Sequence, residues 1–164
     1  FIHVIKSETM KCHPFDEQLR IYEGVFFMIY FKEAQLLLYT AKVVTLRERG
    51  RQDSVSRDFL RTSKSVIQRT IRSRKLYLQW FLSDYERLGL QHVLRSHYSV
   101  LFDNYLLLSD YNEANHYLAE LIKLGGKVGI IKLLTLQLRL GRLYRFTLRY
   151  YLMFKYDVLH KKLQ

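Results

Sequence analysis

From Phe59 to Leu88 the apolar residues Phe59, Leu60, Val66, Ile67, Ile71, Tyr77, Leu78, Phe81 and Leu82 recur at helical spacing. Arg61, Lys64, Gln68, Arg72, Lys75 and Gln79 keep to the opposite side. A run of this length without a proline predicts one long amphipathic helix, and such a helix needs further helices to cover its apolar face. The rest of the chain supplies them. Leu90 to Leu108 and Tyr111 to Leu124 have the same period. Asp110 stands where it can cap the free amides of the latter helix, with Glu113 three residues on as in a capping box, and Gly125 follows as a left-handed stop. After Lys127 the helical pattern resumes through Tyr156, with a break or kink expected near Gly141. Pro14 is the only proline, and six of the seven glycines fall at or after residue 50, between these stretches.

The first part has a different texture. Val25 to Ala34 reads as a helix, and Leu36 to Tyr39 and Lys42 to Leu46 as short strands. The polar segment 47–57 then connects this piece to the helices. The expected fold is therefore mainly α, with a short α/β segment over residues 1–57 and a helical extension over 58–164. At 164 residues the chain suits one domain or two small ones. Its 49% hydrophobic and 15% aromatic content excludes a disordered or low-complexity segment.

Charge is uneven along the chain. Of the net +12, residues 1–57 carry +2 and residues 58–164 carry +10, so a basic partner surface belongs to the second part. A single cysteine, Cys12, excludes a disulfide framework and a thiolate-only metal site. The longest apolar runs, Val25 to Phe31 and Val128 to Leu138, are short or interrupted by Lys132, below the roughly 18 to 20 residues of a membrane span. No basic n-region or cleavage pattern follows Phe1, which predicts no signal peptide, a cytoplasmic location and a fragment of a longer chain.

Taken in order, Phe15-Asp16-Glu17-Gln18-Leu19-Arg20-Ile21-Tyr22-Glu23-Gly24, a helix, a strand to Tyr39, Leu46-Arg47-Glu48-Arg49 and Ser54-Val55-Ser56 resemble the end of the catalytic domain of bacterial family 2 glycosyltransferases. There a segment F-D-E-x-L-x-x-G-E-D leads into a helix, and a strand ending in Y-x-Y-R-x-R and a short S-x-S loop follow. The resemblance covers about residues 1–57. It implies a Rossmann-like remnant of an inverting, nucleotide-sugar-dependent transferase acting on a polysaccharide or lipid-linked acceptor. The last Asp of G-E-D is the family's general base, because a carboxylate can take the acceptor hydroxyl's proton as it attacks the anomeric carbon. Here that position is Gly24, and Glu23 is the carboxylate that remains.

The resemblance also implies that Arg47, Arg49 and Arg51 lie near the diphosphate or acceptor, where guanidinium groups suit phosphate; a solvated basic turn is the other reading. A divalent metal, Mg or Mn, is implied for the complete enzyme. The family's D-x-D-like pair has no match in this chain, which is then the acceptor side and C-terminal portion of a larger transferase, not expected to be active alone.

In the final segment Lys132, Arg139, Arg142, Arg145 and Arg149 fall within about 140° of arc on a continuous helix, at about 100° per residue. Leu136, Leu140, Tyr144, Leu148, Tyr151 and Leu152 cover much of the remainder. A basic stripe beside leucines and rings suits a helix lying in a membrane interface, at the inner face of the cell membrane, with cations on anionic headgroups and apolar groups in the acyl boundary. The competing reading makes the leucines and tyrosines core and the arginines their flank. A non-catalytic basic helical module on an anionic membrane or nucleic acid is the alternative function. Nucleic acid ranks lower, since no zinc-finger spacing, RNA-recognition sequence or Gly-rich clamp is present. His92 and His97 lie five apart and His116 is remote, so no metal site is expected. Cys12 beside His13 reads as an idle thiol, and Trp80 as core.

Overall fold

The computed structural model describes residues 7–14, 16, 19, 24–33 and 62–162. The described residues are mainly helical, with seven helices and no strand among them. The segments expected as strands, 36–39 and 42–46, lie outside the described residues. The chain divides into two compact units, Phe1–Arg57 and Asp58–Gln164.

In the first unit, α1 (Ser7–Cys12) packs against α2 (Gly24–Glu33), whose start agrees with the expected helix to within a residue. Leu19, Val25, Phe26, Ile29 and Tyr30 are buried, the last four on one face of α2. The Tyr30 hydroxyl donates to the His13 carbonyl at 2.7 Å, and His13 Nε2 lies 2.6 Å from Glu33 Oε1. His13 is thus engaged with α2, while Cys12 is exposed.

The second unit is built on α4 (Gln91–Leu108). α3 (Lys64–Arg87), α5 (Tyr111–Lys123), α6 (Ile130–Gln137) and α7 (Gly141–Lys162) all touch it, with α3 and α5 making the most extensive contacts. The core joins Ile67 and Ile71 of α3, Leu101, Phe102, Tyr105 and Leu106 of α4, and Ala114 and Tyr117 of α5. These are the i, i+3, i+4 positions at which an amphipathic helix buries its stripe, and each large side chain so buried stabilises the fold by about 1.5–3 kcal/mol. Trp80, expected as core, is half-buried on α3.

α4 also carries a buried ring and a half-buried carboxylate. His97 of α4 is 4% exposed and lies between the rings of Tyr77 and Tyr85, with centroids 5.2 and 5.6 Å away. Arg74 Nη1 stands 3.4 Å from its Nδ1. Burial first, and the Arg74 charge second, push the imidazole pKa down to about 4. Asp103 of α4 meets Lys132 Nζ of α6 at 2.7 Å, and burial raises its pKa although Lys132 opposes the shift.

Lys132→Met is expected to destabilise the protein by about 1–2 kcal/mol at neutral pH, because the Asp103 carboxylate then lacks its ammonium. The loss shrinks in mild acid. A carboxyl whose folded pKa is raised favours the folded state once protonated, so stability falls as pH rises through that pKa, and removing Lys132 raises it further. Urea unfolding at the two pH values checks both sign and size.

Four helices end in one way. The residue after the C-cap, or the C-cap itself, turns left-handed and its amide and the next close back on the last turn: Gly89 (φ +65°), Ser109 (φ 63°), Gly125 (φ +72°) and Arg139 (φ 53°). The long-range members are Leu90 N to Tyr85 O (2.8 Å), Asp110 N to Tyr105 O (3.0 Å), Gly126 N to Leu121 O (2.9 Å) and Leu140 N to Thr135 O (2.9 Å). At the start of α5 the Asp110 side chain accepts from the Glu113 amide at 3.3 Å. Glu113 does not reach back as in a full capping box; its carboxylate takes Lys75 Nζ of α3 at 3.3 Å.

Candidate functional site

The break in the final helical stretch lies at 138–140, ahead of Gly141. A left-handed residue with a side chain costs about 1–2 kcal/mol, and tertiary contacts hold Arg139 there. The Tyr111 hydroxyl donates to the Arg139 carbonyl at 2.6 Å and accepts from the Gly141 amide at 3.2 Å. The guanidinium lies 5.9 Å from the centre of the same ring. The start of α7 is thereby fastened to the start of α5.

This break corrects the stripe expected of a continuous helix. Lys132 is on α6 and is spent on Asp103, and Arg139 is in the turn. Only Arg142, Arg145 and Arg149 remain together, at i, i+3 and i+7 on α7. The apolar partners change as well. Leu136, Tyr144 and Leu148 pack against the core instead of facing solvent. Among the described side chains of α7, Leu143, Phe146, Tyr150, Tyr151, Met153 and Phe154 are apolar and exposed, Phe154 at 70%. At about 100° per residue, Leu143, Phe146, Tyr150, Met153 and Phe154 form a stripe beside the arginines, and Tyr144 and Leu148 occupy the third side. The sequence signal for this stripe is the i, i+3, i+7 spacing of Leu143, Phe146 and Tyr150 after Gly141.

α6 adds Ile130, Ile131, Leu133 and Leu134 to the exposed apolar surface, Ile130 at 72%. Scattered apolar residues are ordinary on a protein surface; a succession on two consecutive helices is what marks an interaction surface.

Beside the arginines a cavity of about 310 Å3 opens. Arg142, Arg145, Phe146 and Arg149 line it from α7, and Thr62, Ser63 and Lys64 line it from the start of α3. Lys64, Ser63 and Thr62 are the members that sequence spacing did not single out, because nothing in the local pattern reports which helix end lies beside α7. A second cavity, about 400 Å3, lies over Lys75, Gln79 and Tyr105. Its ammonium is already engaged: the Tyr105 hydrogen bond, ahead of the pairing with Glu113, holds the Lys75 pKa above its usual range.

Glu23, Arg47, Arg49 and Arg51 lie outside the described residues, and Gly24 is the first residue of α2. Among the described residues no three of His, Cys, Asp or Glu come together, so the donor set for the divalent metal is not found among them. His92 and His116 are exposed, and His97 is enclosed by tyrosines. No helix of the described residues is long and apolar enough to cross a membrane. No protein-family model matches the chain, and no curated protein or solved structure is detectably similar to it.

Proposed function

We propose that the chain is the acceptor-side and C-terminal portion of a family 2-like glycosyltransferase, and that its helical unit holds that enzyme on an anionic membrane surface. The observation that carries the second half is the succession of exposed apolar side chains on α6 and α7 beside Arg142, Arg145 and Arg149. Apolar groups enter the acyl boundary while each cation near anionic headgroups contributes about 1 kcal/mol. The first half is supported by the order of the motifs over residues 15–57 and by a helix that starts at Gly24, where those motifs place one. In this reading Glu23 is the carboxylate left for proton abstraction, Arg47, Arg49 and Arg51 face the diphosphate or acceptor, and the nucleotide sugar and divalent metal are held by parts of the enzyme beyond this chain. A transferase whose acceptor is lipid-linked gains from lying where that acceptor is.

Binding of the full chain to phosphatidylcholine vesicles, with and without an anionic lipid, tests the surface. Anionic vesicles are expected to bind more tightly, and changing Arg142, Arg145 and Arg149 together to Gln to weaken this by at least about tenfold. Equal binding to neutral and anionic vesicles, or a triple variant that binds unchanged, overturns it. The encoding gene tests the enzymatic half: a nucleotide-binding α/β fold with an acidic pair upstream of Phe1 is expected, and a stop codon just upstream rules it out. One observation favours the alternative, a non-catalytic basic module on an anionic membrane or nucleic acid: the exposed apolar and basic surface uses none of the residues that carry the family resemblance.

A further inference from the structure

The cavity between the start of α3 and the first turns of α7 has four cations on its walls and, among the described residues, no carboxylate. Neither helix has an acidic residue in its first turn. Acidic groups are the ones a helix N-terminus favours, so Lys64 in the first turn of α3 adds its charge to the positive end of a 24-residue helix, with three arginines opposite. Among the described residues Lys64, Arg142, Arg145 and Arg149 make no ion pair. An electrostatically costly arrangement of this kind is relieved by an anion.

The other polar groups fit the same ligand. Ser63 Oγ caps α3 by accepting from the Val66 amide at 3.4 Å, and the Lys64 and Ser65 amides have no acceptor among the described residues. Thr62 also lines the cavity, and its hydroxyl is enclosed and has no hydrogen-bond partner among the described residues. Guanidinium groups pair with phosphate oxygens through parallel hydrogen bonds, and a terminal phosphoryl group offers three oxygens and up to two charges where a carboxylate offers two oxygens and one charge, so a wall of four cations suits phosphate. A volume of about 310 Å3 is ample for one or two phosphoryl groups. Phe146 sits at the cavity and also in the exposed apolar stripe with Leu143 and Tyr150, so the anionic and apolar surfaces are continuous there.

We propose that this cavity binds a phosphate monoester or diphosphate, with the apolar chain of an amphipathic ligand lying along Leu143, Phe146 and Tyr150. The phosphate site stands on the cavity alone; the apolar half rests on the membrane-docking reading. The head of a lipid and a free diphosphate share the recognised chemistry, and the experiment separates them.

The full chain is titrated with inorganic pyrophosphate, and separately with vesicles of equal surface charge containing either phosphatidic acid, a phosphomonoester, or phosphatidylglycerol, a phosphodiester. Saturable pyrophosphate binding is expected. Arg145→Gln and Lys64→Gln, on the two walls, each weaken it by about tenfold, the loss of one charge-assisted hydrogen-bonding partner. Arg87→Gln, an equal loss of charge at the far end of α3, leaves it unchanged. Preference for phosphatidic acid that Arg145→Gln abolishes identifies a lipid head as a source; pyrophosphate binding without that preference identifies a free diphosphate. Absence of saturable pyrophosphate binding, or an equal loss in all three variants, overturns the site. A chain that binds anionic vesicles of either lipid alike and ignores pyrophosphate overturns the cavity while leaving the docking surface standing.

Discussion

Between pH 6.5 and about 4 the protein is expected to lose about 3 kcal/mol of stability through one ring, and His97→Phe to lose far less over that interval. The sign follows from which state takes the proton first. In the unfolded chain the imidazole charges as pH drops below 6.5, whereas the folded ring, enclosed by Tyr77 and Tyr85 and facing Arg74, stays neutral to about 4. The unfolded state therefore binds more protons across the interval, and stability falls with pH until the folded ring also protonates. Asp103 acts in the other direction, since its raised pKa favours the folded form on acidification. The difference between wild type and variant isolates His97 because Asp103 is common to both. Phenylalanine keeps a ring between the two tyrosines, so the α3–α4 packing survives the change. Urea unfolding at pH 6.5 and 4 reads the effect; parallel losses in the two proteins would show that acid acts elsewhere.

Gly141→Ala is expected to destabilise the protein by about 3 kcal/mol, lowering its melting midpoint by about 10 °C. The usual result of this substitution in a helix is the reverse, a gain of up to about 1 kcal/mol. Gly141 is buried at the start of α7, and a methyl group there meets the Leu106 carbonyl oxygen at the end of α4 and Ser109 Oγ, the latter at 2.9 Å. A backbone oxygen inside a helix cannot step aside as a flexible side chain does. Ser109→Gly in addition removes the hydroxyl and not the carbonyl, so it is expected to restore only part of the loss. Scanning calorimetry of the single and double variants measures both. A neutral or stabilising Gly141→Ala would mean that α7 does not press on the end of α4 at this point.

Most of the helical unit was legible along the chain. The apolar periods over 59–88, 90–108 and 111–124 each hold a helix, the first opening only at Lys64 behind the Ser63 cap, and Asp110 and Gly125 mark an end as only residues with those side chains, or none, can. Gly89 and Gly125 announce left-handed turns because glycine enters them without cost. Ser109 and Arg139 make the same turn unannounced. For Arg139 the conformation is set by a partner distant in sequence, the Tyr111 hydroxyl and ring 28 residues earlier.

That one turn decided the candidate site. Local sequence determined that residues 127–156 are helical, basic and rich in apolar side chains. It could not determine the phase, since the left-handed turn at Arg139 restarts the count. With the phase reset, Tyr144 and Leu148 go to the core, Leu143, Phe146 and Tyr150 to the outside, and Arg142, Arg145 and Arg149 to the cavity that Lys64 completes from another helix. Periodicity is a property of neighbours along the chain, and which helix end meets which is a property of packing; the charges that share a cavity were therefore visible only after α3 and α7 had been brought together.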